Sequence, residues 1–332
     1  QCIEPNQFGM TTNDVTAVLI PAFKKSVAFP DDLVKKIAGV SLVQRAIDRV
    51  KSLGILNSDI HLVTDSDEIR LIGIRNNLEV VFDPLLKWNP EVAYSVTKDY
   101  IRRIGRTNEV IVLLSPYAPL LKGKTLSKAI TFFKKSDCEV LKSTSSESRN
   151  LFIQGEKMLR SAIIDETTET HQIESSAFTL LKASIGDKKS DESVSVLPWD
   201  IGEDALEVRS MRDWWVCEKL LRRKRIIFWV IGNQTVGMGH IYRSLSLANE
   251  LPDHEVVFVT ESRNEEAVKQ ILKREYTLEI YKGKNIVEDI VDLRPALLIS
   301  DILDTNRRDV LKFKDAGIAV ISFEDLGTGA SH

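Results

Sequence analysis

Six consecutive apolar residues, Ile226-Ile227-Phe228-Trp229-Val230-Ile231, lead within a few positions into Gly237-Met238-Gly239-His240-Ile241-Tyr242-Arg243. A strand with one wet face alternates apolar and polar residues. An unbroken apolar run of this length instead fits a strand covered on both faces, as in a parallel sheet between layers of helix. The run falls far short of the roughly 20 residues that cross a bilayer as a helix. The glycine turn and the helix after it place backbone N–H groups, a proton acceptor and a cation at the carboxyl end of that strand, where α/β proteins meet anionic ligands. A phosphorylated or sugar-nucleotide ligand is therefore expected.

The same alternation runs through the rest of the chain. Val15 to Ile20, Ile60 to Val63, Glu79 to Phe82 and the continuous Val110 to Leu114 read as strands. Leu42, Val43, Ala46, Ile47 and Val50 fall at helical spacing, as do Val92 to Ile104 and Thr125 to Lys134. Glu139 to Lys142 and Ala177 to Leu181 read as weaker strands around a serine-rich loop, Ser143 to Ser148. With the polar stretch Gly186 to Ser195, these read as insertions or edge elements. A helix over Met211 to Leu221 then meets the basic run Arg222-Arg223-Lys224-Arg225, whose cations suit a helix C-terminus and mark a domain boundary. Beyond it come a helix at His240 to Glu250, a strand at Val256 to Val259, a helix at Glu265 to Lys273, and strands near Ala296 to Ile299 and Ala319 to Phe323.

Strand–helix alternation implies mainly parallel sheets, so the expected fold class is α/β with two doubly wound, Rossmann-like domains, residues 14–222 and 225–332. A chain of 332 residues has room for two cores.

Composition excludes several function classes. Lys and Arg number 45 against 48 Asp and Glu, a net charge of −3, so no overall basic field draws nucleic acid or anionic lipid. Cys2, Cys138 and Cys217 are too scattered for a disulfide framework, and a cytoplasmic setting is expected. No group of His, Cys and carboxylates has transition-metal spacing, so no metal ligands are assigned. The expected partner is a nucleotide or nucleotide-sugar small molecule, without nucleic acid or membrane; a homodimer is compatible.

Within the glycine segment, Gly237 and Gly239 are expected to supply positive φ and close backbone approach to a ligand. An imidazole is a ready proton acceptor in water, so His240 suits proton transfer from an attacking water. Arg243, one turn on, suits a diphosphate or a bridge to an acid. Asp301 and Asp304, at a strand end, either meet the ligand or cap the next helix. Trp214-Trp215 reads as core packing.

Val236 to Ala248 resembles the first strand–turn–helix of the pseudaminic acid pathway hydrolase family, matching G-x-G-H-x-x-R-x-L-x-L-A at every fixed position. Those proteins cleave a UDP-linked amino sugar and share a two-lobed, GT-B-like fold with the MurG-type glycosyltransferases. The resemblance continues through Leu298-Ile299-Ser300-Asp301 and reaches Phe323-Glu324-Asp325-Leu326-Gly327, where the family usually carries an Asp-Asp pair. It implies His240 as the catalytic base, with Gly237, Gly239, Arg243, Asp301 and Asp325 binding substrate. Residues 225–332 suffice for the first lobe alone, and the chain is expected to be truncated there.

Ile20-Pro21-Ala22, Ala38-Gly39-Val40-Ser41-Leu42, Val63-Thr64-Asp65-Ser66-Asp67-Glu68-Ile69 and Leu113 to Leu120 together resemble the cytidylyltransferases that make CMP-sialic acid and related sugar acids. The resemblance implies the nucleotide-diphospho-sugar transferase fold and a nucleotide site at Ala22, Lys24, Lys25, Ser26 and Asp65. The departures fall on the family's chemical residues. Phe23 replaces an arginine, Lys24 and Lys25 replace two glycines, Val27 replaces a lysine, and Asp32 and Leu33 replace a lysine and an asparagine. Glu207 and Arg209 stand where the family has two magnesium-binding aspartates, and a cation beside a hard metal site opposes the metal.

The combined expectation is nucleotide-activated sugar metabolism by an enzyme: a degenerate CMP-sugar-acid synthetase-like domain fused to a UDP-sugar hydrolase-like one. The alternatives are an active acylneuraminate cytidylyltransferase, which would need Mg2+, and a noncatalytic sugar-nucleotide-binding or assembly subunit.

Overall fold

The computed structural model describes residues 16–24, 29–84, 110–147, 152–154, 159–161, 171–187, 193–233, 235–281 and 286–330. The chain forms two compact units, Gln1–Leu221 and Arg222–His332.

The first unit contains β1 (Thr16–Pro21), a hairpin of β2 (Lys36–Ile37) and β3 (Val40–Ser41), α1 (Leu42–Lys51), β4 (Ile60–Thr64), α2 (Asp67–Arg75) and β5 (Glu79–Phe82). It continues through β6 (Val110–Leu114), α3 (Gly123–Lys135), β7 (Val140–Glu147), the small pair β8 (Phe152–Gln154) and β9 (Leu159–Ser161), β10 (His171–Lys182), β11 (Val196–Asp200) and α4 (Met211–Arg222). Seven strands form one sheet in the order β11-β7-β10-β6-β1-β4-β5. Among their pairings, those of β10 with β6 and with β7 are antiparallel and the rest parallel. β1 lies inside this sheet, and Ala17 to Ile20 are fully buried, as a strand covered on both faces requires. Ser41 starts α1 by accepting the Gln44 N–H at 3.3 Å, and the stripe Leu42, Val43, Ala46, Ile47 and Val50 packs into the core.

Two expectations about this sheet fail. Ser143 to Glu147 belong to β7 rather than to a loop, and β10 lies inside the sheet rather than at its edge. Ser143 survives burial because its hydroxyl replaces ladder partners. Register shifts between Glu174 and Thr179, and there the fully buried Ser143 accepts from the Phe178 N–H at 3.1 Å while its hydroxyl reaches the Ser175 carbonyl at 2.8 Å. The helix expected at Val92 to Ile104 lies outside the described residues, as does part of Gly186 to Ser195. Of the tryptophan pair, Trp214 is buried against Phe29 while Trp215 is exposed, so only the first is core.

The second unit repeats strand and helix without interruption: β12 (Arg225–Val230), α5 (Gly239–Asn249), β13 (Glu255–Glu261), α6 (Glu265–Leu272), β14 (Thr277–Tyr281), α7 (Ile286–Asp292), β15 (Leu297–Asp301), α8 (Arg307–Asp315) and β16 (Ala319–Ser322). Its sheet is parallel throughout, in the order β14-β13-β12-β15-β16. The apolar run of β12 feeds both faces. Ile226, Phe228 and Val230 pack with Ile241, Leu245 and Ala248 of α5 and with Ala267 and Ile271 of α6. Ile227 packs with Val287 and Ile290 of α7 and Phe313 of α8. Phe228 stacks on Phe258 at 5.1 Å, an arrangement worth about 0.5–1.5 kcal/mol beyond burial. Strand order reverses at β12, so the adjacent carboxyl ends of β12 and β15 form a crevice of the kind in which such sheets bind ligands.

Candidate functional site

β12 hands the chain to a loop whose shape is set by packing and by one asparagine. A Cβ on Gly232 would come within 2.4 Å of Ile241 Cγ1, so the missing side chain lets α5 sit against the strand end. Asn233 Oδ1 accepts the N–H groups of Thr235 and Val236, both at 3.0 Å, and its carbonyl accepts the Gly237 N–H at 2.8 Å. Gly237 closes the turn at φ 88°, where a side chain is strained. From the far side, Asn233 Nδ2 donates to Asn264 Oδ1, Asn264 Nδ2 to Thr260 Oγ1, and Thr260 to the Val230 carbonyl. Gly239 does not share the positive φ expected of it: it is the first residue of α5, with nothing within 4 Å of a built Cβ. Met238, the N-cap, makes no side-chain hydrogen bond to the helix end.

His240 and, one turn later on α5, Arg243 and Ser244 converge on Asp301, the last residue of β15. His240 Nδ1 lies 2.8 Å from Asp301 Oδ1. Arg243 grips both carboxylate oxygens, Nη2 to Oδ1 at 2.6 Å and Nε to Oδ2 at 3.0 Å, and the Ser244 hydroxyl donates to Oδ2 at 3.0 Å. Asp301 is fully buried. Burial alone would raise its pKa, but the hydrogen bonds from Arg243, His240 and Ser244 outweigh it and hold the carboxyl below the ordinary range. An ionised carboxylate only accepts, so Nδ1 of His240 carries a proton, and in the neutral ring the lone pair then falls on Nε2. His240 Nε2 makes no hydrogen bond among the described residues, and the side chain keeps 14% of its surface exposed. The arrangement is an imidazole oriented by a buried carboxylate, a geometry that suits proton transfer.

Arg243 is thus committed to protein acids. Its remaining edge faces Glu324, Nη1 to Oε2 at 3.1 Å, and the guanidinium lies over Phe323 at 5.0 Å from the ring centre. Asp325, expected to bind substrate, instead ties down its own loop: Oδ1 accepts the Thr305 N–H at 2.9 Å and the Gly327 N–H at 2.8 Å, and Oδ2 accepts the Thr305 hydroxyl. Burial would raise its pKa, and these bonds bring it below the ordinary value. Asp304 accepts the Leu326 N–H rather than capping α8, whose cap is Asn306.

Of the nucleotide site expected in the first unit, Ala22, Lys24 and Asp65 are described, and each is engaged within the protein. Ala22 is buried and donates its N–H to the Val63 carbonyl at 2.8 Å. Phe23, at the family's arginine position, is core with Leu19 and Val63. Lys24 gives its backbone N–H to Asp65 Oδ1 at 2.7 Å and its ammonium to Asp31 at 2.9 Å and Glu68 at 3.0 Å, bonds that raise its pKa. Lys25 and Ser26 lie outside the described residues. Asp32 is fully buried, within 3.4 Å of the Tyr117 hydroxyl. Glu207 accepts Arg209 Nε at 3.1 Å and Nη2 at 3.0 Å on one oxygen, and the Ser175 hydroxyl at 3.0 Å and the Ser176 N–H on the other. A guanidinium therefore occupies the side of Glu207 that a magnesium ion would need, and the residues present do not fit that metal.

Sequence reading missed Gly232, Ser244 and Glu324. Gly232 had a signal, a glycine directly behind a buried strand; Ser244 lies inside the matched helix segment, one residue past Arg243.

No family model matches the chain. Over 76 residues it is 36% identical to an uncharacterized protein of Methanocaldococcus jannaschii, a match covering 22% of this chain and 16% of that one, so it spans about a sixth of that relative's length. Among solved structures it is similar to the 4-diphosphocytidyl-2C-methyl-D-erythritol synthase of Anaerococcus prevotii, with a TM-score of 0.48 and 11% identity over 64% of this chain and 100% of the other. It is likewise similar to a CMP:2-keto-3-deoxy-manno-octonic acid synthetase complexed with CTP, with a TM-score of 0.48 and 9% identity over 63% and 98%. A cytidylyltransferase of Leptospira borgpetersenii gives a TM-score of 0.43 and 13% identity over 63% and 87%.

Proposed function

We propose that the second unit carries the reactive site of a sugar-nucleotide hydrolase, with His240 as its base, and that the first unit is a cytidylyltransferase-like domain without its metal-dependent chemistry. The observation that carries the reading is the buried Asp301 carboxylate on His240 Nδ1. It fixes the tautomer in which Nε2 can take a proton.

In this reading a UDP-linked amino sugar sits at the carboxyl ends of β12 and β15. Water attacks C1 of the sugar and loses a proton to His240 Nε2; the bond from C1 to the phosphate oxygen breaks, and UDP leaves with that electron pair. The first turn of α5, which no side chain caps, presents N–H groups suited to the departing phosphates. Buried Asp32 and the Arg209–Glu207 pair support the loss of CTP-dependent transfer in the first unit.

The test is release of UDP from UDP-linked acetamido sugars by the full chain. Turnover that falls about 10²–10⁴-fold in His240→Ala, as expected for loss of a general base, supports the assignment. Unchanged turnover in that variant overturns it, as does pyrophosphate release from CTP and a sugar acid as the only activity.

A further inference from the structure

Arg243 spends two of its N–H groups on Asp301 and turns its other outer nitrogen, Nη1, toward Glu324. The two contacts are unlike. Asp301 is fully buried and held by three side chains, whereas the Glu324 side chain is 72% exposed. Glu324 also sits at φ 51°, a left-handed backbone that a glutamate adopts only under strain. A solvent-exposed ion pair is weak, and here it is set against that strain. The loop is anchored on each side of it. Phe323 lies under the guanidinium, and Asp325 is bound to Thr305 and Gly327. Glu324 alone is therefore free to leave without unfolding its neighbours.

We infer that the outer edge of Arg243 is an anion subsite for a phosphate group of the ligand, and that the Glu324 carboxylate fills it in the ligand-free molecule as a displaceable stand-in. This rests on the proposed function only in taking the ligand to be a phosphorylated sugar derivative. A phosphate presents more charge and more acceptor oxygens to a guanidinium than a carboxylate does, so exchange favours the ligand. His240, one turn earlier on the same face of α5 and joined to Arg243 through Asp301, would then lie beside the bound group. Glu324 would act as a filter: neutral sugars leave the ion pair in place, and only a phosphorylated one opens it.

The test measures binding of inorganic pyrophosphate to the full chain by calorimetry, with no turnover involved, so it stands apart from the hydrolysis assay. Glu324→Gln removes the competing charge and keeps the shape; the affinity should rise by about two- to fivefold, the scale of an exposed ion pair. Glu279→Gln, on the outermost strand β14, removes the same charge away from the β12–β15 crevice and should leave the affinity unchanged. Tightening in Glu324→Gln alone supports the subsite, including the case in which only that variant binds measurably. No binding by any of the proteins, no change, weaker binding in Glu324→Gln, or equal tightening in both variants overturns it.

Discussion

His240 Nδ1 and Asp301 Oδ1 stand 2.8 Å apart across 61 residues of sequence. The contact joins the first turn of one helix to the end of a strand two crossovers later, and Arg243 and Ser244 close around the same carboxylate. Four donors on one buried acid give the second unit a rigid polar centre where its sheet changes direction.

Asp301→Asn should loosen that centre. The amide matches the carboxylate in shape but turns one acceptor into a donor facing His240 or Arg243, which costs about 1–3 kcal/mol. Urea unfolding should show the loss. Nitrogen NMR of the His240 ring should show a single Nδ1–H tautomer in the wild type and a mixture in the variant. A single unchanged tautomer in Asp301→Asn would show that the carboxylate does not orient the ring.

Gly232→Ala should be destabilising although it adds only a methyl group. The new Cβ would meet Ile241 Cγ1 at 2.4 Å, and overpacking of this kind costs about 1–3 kcal/mol. In the double variant Gly232→Ala/Ile241→Ala the two losses should sum to less than additively, since the clash is gone. Strict additivity in denaturant midpoints would mean that α5 simply moves away.

Stability of the first unit should depend on pH through His61. Burial lowers its pKa below 6.5, with Glu79, its cross-strand neighbour, and Asp59 pulling the other way. Between the folded value and about 6.5 the unfolded chain holds more protons, so stability declines as pH falls through that window, by at most about 1.4 kcal/mol per pH unit for one proton. Denaturant melts at pH 6.5 and 5.5 should show a smaller decline in His61→Gln than in wild type. Parallel declines would remove His61 from the account.

Legibility of the chain followed distance along it. The segment from Ile226 to Arg243 declares strand, turn and helix because all its determinants are contiguous. Asp301 was visible as a strand-end acid, but its partners are tens of residues away, and no local pattern distinguishes a helix cap from a carboxylate gripped by α5. β14 was invisible for another reason: Thr277 to Tyr281 is a largely exposed edge strand carrying a charge, with little apolar signal. Ser143 to Glu147 misled because serine propensity favours turns, and the buried β10 ladder with its bulge overrode it. In the first unit the departures from the cytidylyltransferase pattern were readable one by one. That Arg209 folds back onto Glu207 was not, since exposed side chains choose partners only in three dimensions.

The parallel sheet of the second unit also sets a clock. β12 is made first yet needs β15 on one side, and His240 needs Asp301, which is 61 residues further along. At a synthesis rate of about 5–20 residues per second, the histidine waits roughly 3–12 s for its carboxylate, across a stretch in which β13 and β14 are already available to pair. A nascent chain arrested before Leu297 would expose one edge of β12 and hold His240 without its orienting acid, so the polar centre is among the last features of this unit to exist.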